Sequence, residues 1–110
     1  MNESEFLALA EAILDAIEAQ CDHWFEQLDI DVESARSGNV LTLTFADRSQ
    51  VVINSQSPMR EMWVAARSGG FHYRQVDGRW IDTRSGEEMA AALSRICTEQ
   101  AGRPITVTLP

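Results

Sequence analysis

The 110-residue chain is 45% hydrophobic and 24% charged, with a net charge of −8, a composition suited to one domain around a modest core. No apolar run approaches the roughly 20 residues needed to span a bilayer. The opening MNESEFLALAEA carries acids where a signal peptide carries positive charge, so a soluble, cytoplasmic protein is expected.

The charge is unevenly placed. Residues 1–35 hold ten acids (Glu3, Glu5, Glu11, Asp15, Glu18, Asp22, Glu26, Asp29, Asp31, Glu33) and no base, whereas residues 36–110 hold seven acids and nine arginines. A negative field of this kind repels nucleic acid and anionic lipid and attracts cations and basic protein surfaces. Cys21 and Cys97 belong to no metal-binding or redox spacing, and two buried reduced thiols are expected.

Along the chain, Asn2 followed by Glu5 has the spacing of a capping box. Phe6, Ala10, Ile13, Ile17 and Trp24, flanked by Leu14 and Cys21, then recur at helical spacing and predict a helix over about residues 3–24. Asp29-Ile30-Asp31-Val32-Glu33 alternates as a half-buried strand does. A turn at Ser37-Gly38-Asn39 leads to a strand at Val40–Phe45, and Asp47-Arg48-Ser49 turns into another at Gln50–Asn54.

Pro58 interrupts the pattern before a fourth strand at Glu61–Ala66. Gly69-Gly70 reads as the next turn, and Asp77-Gly78 is a strong hairpin signal between Phe71–Val76 and Arg79–Asp82. Ser85 with Glu88 resembles a second capping box, and Met89, Leu93 and Ile96 give a second helix its apolar face, ended by Gly102 and Pro104. Residues 105–109 read as an extended tail. Helix, about six antiparallel strands, then helix predicts an α+β two-layer sandwich, both helices on one sheet face and the other face open.

Glu11, Asp15, Glu18 and Asp22 follow spacings of 4, 3 and 4 and form one lateral stripe on the first helix, roughly 110° from the apolar face. With Ile30 and Val32 inward, Asp29, Asp31 and Glu33 share the outward face of the following strand. No base stands at i±4 on the helix to relieve the repulsion. Carboxylates clustered without His or Cys suit hard cations such as Mg²⁺, Ca²⁺, Mn²⁺ and iron, although the EF-hand spacing is absent. The competing interpretation is a solvated helix face that aids solubility. In Met62-Trp63-Val64 the alternation puts Trp63 on the open side of the sheet, where it is a candidate partner anchor. No catalytic His, Cys or Ser constellation and no phosphate loop is visible.

The stretch from Asn54 to Tyr73, with Pro58, Trp63, Gly69-Gly70 and His72, resembles the core motif of the frataxin family, in particular its bacterial (CyaY) branch. The opening Met1–Phe6, Asp29-Ile30-Asp31, Trp80-Ile81-Asp82 and Arg84-Ser85-Gly86 fit the same family, so the resemblance spans essentially the whole chain. It implies the sandwich described above, a role in iron–sulfur cluster assembly, and binding of Fe²⁺ and Fe³⁺ through the acidic ridge; a convex, solvated ridge is expected to hold that iron weakly at the surface, and no organic cofactor is expected. Carried over, the metal ridge comprises Glu18, Asp22, Asp29, Asp31 and Glu33, with Glu3 nearby; Glu11, Asp15 and Glu26 extend it. The implied partners are a cysteine desulfurase and the cluster-assembly scaffold, met through Asp22, Asp29 and Asp31 together with Asn54 and Trp63 of the open sheet face. The resemblance implies a monomer and leaves open oligomerisation with iron and the choice between iron donor and regulator.

This sequence departs from the family pattern at positions 19, 23, 25 and 27, where acids give way to Ala19, His23, Phe25 and Gln27, with Glu26 a partial replacement. His23 is a candidate nitrogen ligand. Two other readings stand beside the iron-binding one: an acidic interaction module with incidental metal, and a ferroxidase. The last would want a closed-in site that nothing in the sequence predicts.

Overall fold

A computed structural model describes residues 1–110. The Asn2 side chain accepts the Glu5 amide (2.8 Å) and the Glu5 carboxylate accepts the Asn2 amide (3.3 Å), closing the expected capping box at the start of helix α1 (Glu3–Gln27). The helix runs past Trp24 because no breaker intervenes. It stops where Asp29 takes a left-handed conformation (φ +55°), which short polar side chains tolerate. The amides of Leu28 and Ile30 both donate to the Trp24 carbonyl, at 3.2 and 3.1 Å.

That stop also corrects the first strand. Strand β1 spans Val32–Ser37, so Asp29 and Asp31 lie in the connection and Glu33 alone of the three is in the strand. The burial alternation expected for the segment nevertheless holds, with Ile30 and Val32 buried and Asp29, Asp31 and Glu33 exposed. Strands β2 (Val40–Phe45), β3 (Gln50–Gln56), β4 (Glu61–Ala66), β5 (Gly69–Val76) and β6 (Arg79–Asp82) follow, joined in one antiparallel sheet in chain order. A 3-10 turn at Ser57–Met59 carries Pro58 between β3 and β4. Asp77 and Gly78 (φ +51° and +79°) form the two-residue β5–β6 turn, positive at both positions as the twist of a tight hairpin demands.

Two expectations fail locally. Gly69 and Gly70 lie inside β5, and the turn is Arg67-Ser68, since Ala66 pairs with Gly69. The Ser85–Glu88 capping box does not form: Glu88 itself precedes helix α2 (Met89–Ala101) as its cap residue, and the Ser85 hydroxyl accepts the Glu87 amide (3.2 Å). Asp82 organises the loop instead, its carboxylate accepting the amides of Arg84 and Ser85.

Both helices lie on one face of the sheet, α1 against β1, β2 and β3, and α2 against β6. One core of 25 buried residues joins them. It includes Phe6, Ile13, Leu14, Ile17 and Trp24 of α1, Leu41, Leu43, Ile53, Met62, Val64 and Tyr73 of the sheet, and Met89, Leu93 and Ile96 of α2. The extended tail belongs to this core through Ile105 and Val107. Helix side chains replace the missing strand neighbour: Thr98 bonds both backbone groups of Ile105, Ser94 accepts the Val107 amide, and Gln20 bonds both backbone groups of Thr108.

Gln100, buried near the end of α2, clamps two turns. Its amide nitrogen donates to the Ser49 hydroxyl and the Gln50 carbonyl, and its oxygen accepts the Arg67 amide (3.1 Å). Gln100→Ala therefore strands buried partners, and urea unfolding should show a loss of about 1–3 kcal/mol without change of fold.

Candidate functional site

The docking of α1 sets its acid stripe beside the edge strand β1, and the strand answers with a base. Arg36 stands on the helix-facing side of β1, opposite Leu41. Its guanidinium reaches Asp15 (2.7 Å), Glu18 (3.4 Å) and Glu11 (3.5 Å), while its Nε–H donates to the Gly38 carbonyl (3.0 Å). The Arg36 side chain is only 17% exposed. The hydrogen bond to Asp15, ahead of all other influences, pushes its pKa above the ordinary value despite opposing burial. Relief thus comes from another element rather than from i±4 on the helix.

Farther along, the stripe is bare. Asp22, Glu26 and Glu33 line a shallow groove with Phe25, Val32 and Ser34, and Glu33 shares an adjoining groove with Asp31, Thr44 and Arg48. None of Asp22, Glu26, Asp29, Asp31 and Glu33 has an ion-pair partner within 4.0 Å. They gather at the C-terminal end of α1, whose last turn holds no base and where the helix dipole is already negative. Arg103 lends one contact, donating to the Leu28 carbonyl (3.1 Å). Glu3 is not part of this gathering: at 1.5 Å per residue it lies about 28 Å up the helix from Asp22. His23 is exposed on the helix. No three His, Cys, Asp or Glu side chains converge closely enough to hold a metal ion.

On the open face of the sheet, Asn54, Trp63 and His72 stand side by side across β3, β4 and β5. The Trp63 indole stacks on the His72 ring with centroids 4.1 Å apart and planes 4° from parallel. Its Nε1–H donates to a Glu61 carboxylate oxygen (2.9 Å), and Arg74 pairs with the other oxygen (2.7 Å). Glu61 is 3% exposed although it lies on the outer face. Burial pushes its carboxyl up, but the Trp63 and Arg74 hydrogen bonds, with the neighbouring charges of Arg74 and His72, together hold it below the ordinary range.

Glu61, His72 and Arg74 surround Trp63 on the open face, an arrangement that sequence reasoning missed. Period-2 alternation from Trp63 reaches Glu61, but finding His72 requires the β4–β5 register. A turn centred on Gly69-Gly70 would set Trp63 opposite Val76, whereas the turn at Arg67-Ser68 sets it opposite His72. Cys21 and Cys97 are free and buried, and burial above all pushes their thiols up to about 11 and about 12.

The chain is thus a two-layer α+β sandwich with a bare acidic helix end and an indole held on an open sheet face. The frataxin-like domain model matches residues 1–103, and the chain belongs to the frataxin family. It is 58% identical over 109 residues to the iron–sulfur cluster assembly protein CyaY of Bordetella parapertussis, covering 99% of this chain and 100% of that one. The solved frataxin of Psychromonas ingrahamii superposes with a TM-score of 0.87 at 34% identity, over 98% of this chain and 99% of that one. A trimeric frataxin from Saccharomyces cerevisiae, in complex with ferrous ion, shares the fold with a TM-score of 0.65 at 22% identity, over 81% and 84% of the two chains.

The Glu61 cluster generates a prediction about acid stability. Its carboxyl titrates below the ordinary value of 4.5, so its contribution is present above that pH and is lost as pH falls through the depressed value. Glu61→Gln should flatten the stability profile below pH ~4.5. Glu61→Ala, which leaves Arg74 and the indole N–H without their partner, should cost about 1–3 kcal/mol and red-shift Trp63 fluorescence.

Proposed function

We propose that this chain is an iron-binding protein of iron–sulfur cluster assembly that docks on a cysteine desulfurase and its cluster scaffold and modulates the rate of cluster formation. The observation that carries this is the set of five carboxylates without an ion-pair partner (Asp22, Glu26, Asp29, Asp31, Glu33) at and just beyond the negative end of α1. Oxygen donors of this kind suit Fe²⁺ and Fe³⁺, and a convex, solvated arrangement binds them weakly and at the surface. Glu18, Asp15 and Glu11 continue the acidic stripe up the helix, where they pair with Arg36. The same negative surface suits a basic partner patch, and Trp63 with Asn54 on the open sheet face supplies an aromatic anchor beside a hydrogen-bonding amide. The relatives' role in cluster assembly supports this reading, as does the ferrous complex of the yeast protein. The role assigned is binding rather than catalysis, and no residue is given a catalytic part.

A second reading, an acidic interaction module whose metal is incidental, is favoured by the lack of any convergent ligand set. An amide NMR titration with Fe²⁺ under anaerobic conditions separates the two. Selective loss of signals within residues 15–33, strongest from Asp22 to Glu33, is expected for an iron-binding ridge. Uniform broadening, or none at near-millimolar metal, rejects iron.

For the partner, binding of a cysteine desulfurase is compared for the parent, Trp63→Ala and the triple variant Asp22→Asn, Asp29→Asn, Asp31→Asn. Both variants should bind more weakly, and the parent's affinity should fall with added salt because the attraction is largely between exposed charges. Undiminished binding by both variants, or insensitivity up to roughly 0.5 M salt, rejects this surface.

A further inference from the structure

Arg36 is the one arginine that reaches the N-terminal acids, and its geometry is that of a bound cation rather than of a surface ion pair. One guanidinium spans three carboxylates that the helical spacing has lined up, with Nη1 on Asp15 and Glu18 and Nη2 on Glu11. The group is not recruited from solvent. It is delivered from the inner side of β1 and braced by its own Nε–H on the Gly38 carbonyl, so little side-chain freedom remains to be lost. A cation arriving at these acids must either displace a braced guanidinium or sit beside a like charge. One helical turn on, at Asp22, no such base is present.

We propose that Arg36 is a built-in counter-cation that withholds Glu11, Asp15 and Glu18 from external cations and so sets the upstream boundary of the binding ridge between Glu18 and Asp22. The inference deepens the cation-binding reading above and rests on it for its functional meaning. It divides a stripe that looks continuous into a half that holds a braced counter-charge and a half that holds none. Counting acids along α1 therefore overstates the ridge's capacity for metal.

The test uses the full chain and La³⁺ alone, a hard, diamagnetic cation whose effect on chemical shifts is local. In the parent, La³⁺ sufficient to saturate Asp22 to Glu33 should leave the side-chain carboxyl carbons of Glu11, Asp15 and Glu18 unshifted. In Arg36→Gln those three carbons should shift at La³⁺ concentrations about tenfold lower than the parent requires, the removed like charge being within about 4 Å of the site. Equal midpoints at these carbons in parent and variant overturn the proposal. The readout at residues 11–18 is separate from that at residues 22–33. Silence at the latter in both proteins refutes the cation ridge, while the comparison at the former still decides the role of Arg36. If Arg36→Gln fails to fold, the parent alone suffices. The Arg36 Nε–H resonance should hold its position throughout the titration, and its displacement in step with Asp22–Glu33 overturns the proposal.

Discussion

Helix α1 buries Phe6, Ala10, Ile13, Leu14, Ile17, Cys21 and Trp24 against the sheet, and this docking fixes where every acid of the helix must stand. With the apolar stripe pressed onto β1–β3, the carboxylates roughly 110° around the helix cannot point straight into solvent above the molecule. They flank the edge strand instead. Arg36 can meet Glu11, Asp15 and Glu18 only because β1 is the strand at that edge and because its inward-facing positions, Val32, Ser34 and Arg36, look toward the helix. The core thus decides the electrostatics, not the reverse.

The placement of the remaining acids is unfavourable for the fold taken alone. Carboxylates in the last turns of a helix oppose its dipole, typically by about 0.3–1 kcal/mol each when exposed, and Asp22 and Glu26 also stand one turn apart and repel each other. The usual remedy, a base in the last turn, is absent, and the single donor that Arg103 offers to the Leu28 carbonyl satisfies backbone without touching the carboxylates. By contrast Glu11, Asp15 and Glu18, which stand beside the sheet, share one counter-charge, Arg36. Repulsion is therefore relieved where it lies beside the sheet and retained where the helix ends. A surface serving solubility alone gains nothing from that asymmetry, whereas a surface awaiting a cation or a basic partner does.

Much of this was legible in the sequence because the relevant physics is local. The capping box at Asn2, the strands Val40–Phe45, Glu61–Ala66 and Arg79–Asp82, and the outward aim of Trp63 all follow from spacings within a few residues. What was hidden depends on register. Arg36 sits between a strand read as ending at residue 33 and a turn read as starting at residue 37, and its partners are 18 to 25 positions away. The His72 stack was masked by a two-residue error in the turn, since Gly-Gly attracts a turn assignment even where both glycines continue a strand. The strand acids were displaced because alternation in burial survives in a connection. Asp29 at positive φ ends the helix without disturbing the inward aim of Ile30 and Val32, so periodicity alone could not tell strand from loop.

The two candidate surfaces are continuous through Glu33. Its inward neighbour Val32 packs in the core, and Glu33 itself turns outward opposite Thr44, so the acidic ridge wraps around the edge strand onto the open sheet face. From β1 to β4 is three strand spacings, about 14 Å, and Glu33 stands four residues, about 13 Å, along β1 from Ser37, the residue level with Trp63, so Glu33 and the indole are about 19 Å apart, within the reach of a partner that covers the ridge. An interface of ordinary size, about 800 Å² on each side, spans both. Within it the buried Glu61 has a particular role. It fixes the indole through Nε1–H and is itself neutralised by Arg74, so the aromatic anchor is held in one orientation before any partner arrives. In the interface proposed here, the mobile, long-range part of recognition falls to the carboxylates that lack ion-pair partners, and the rigid, short-range part falls to a tryptophan already in place.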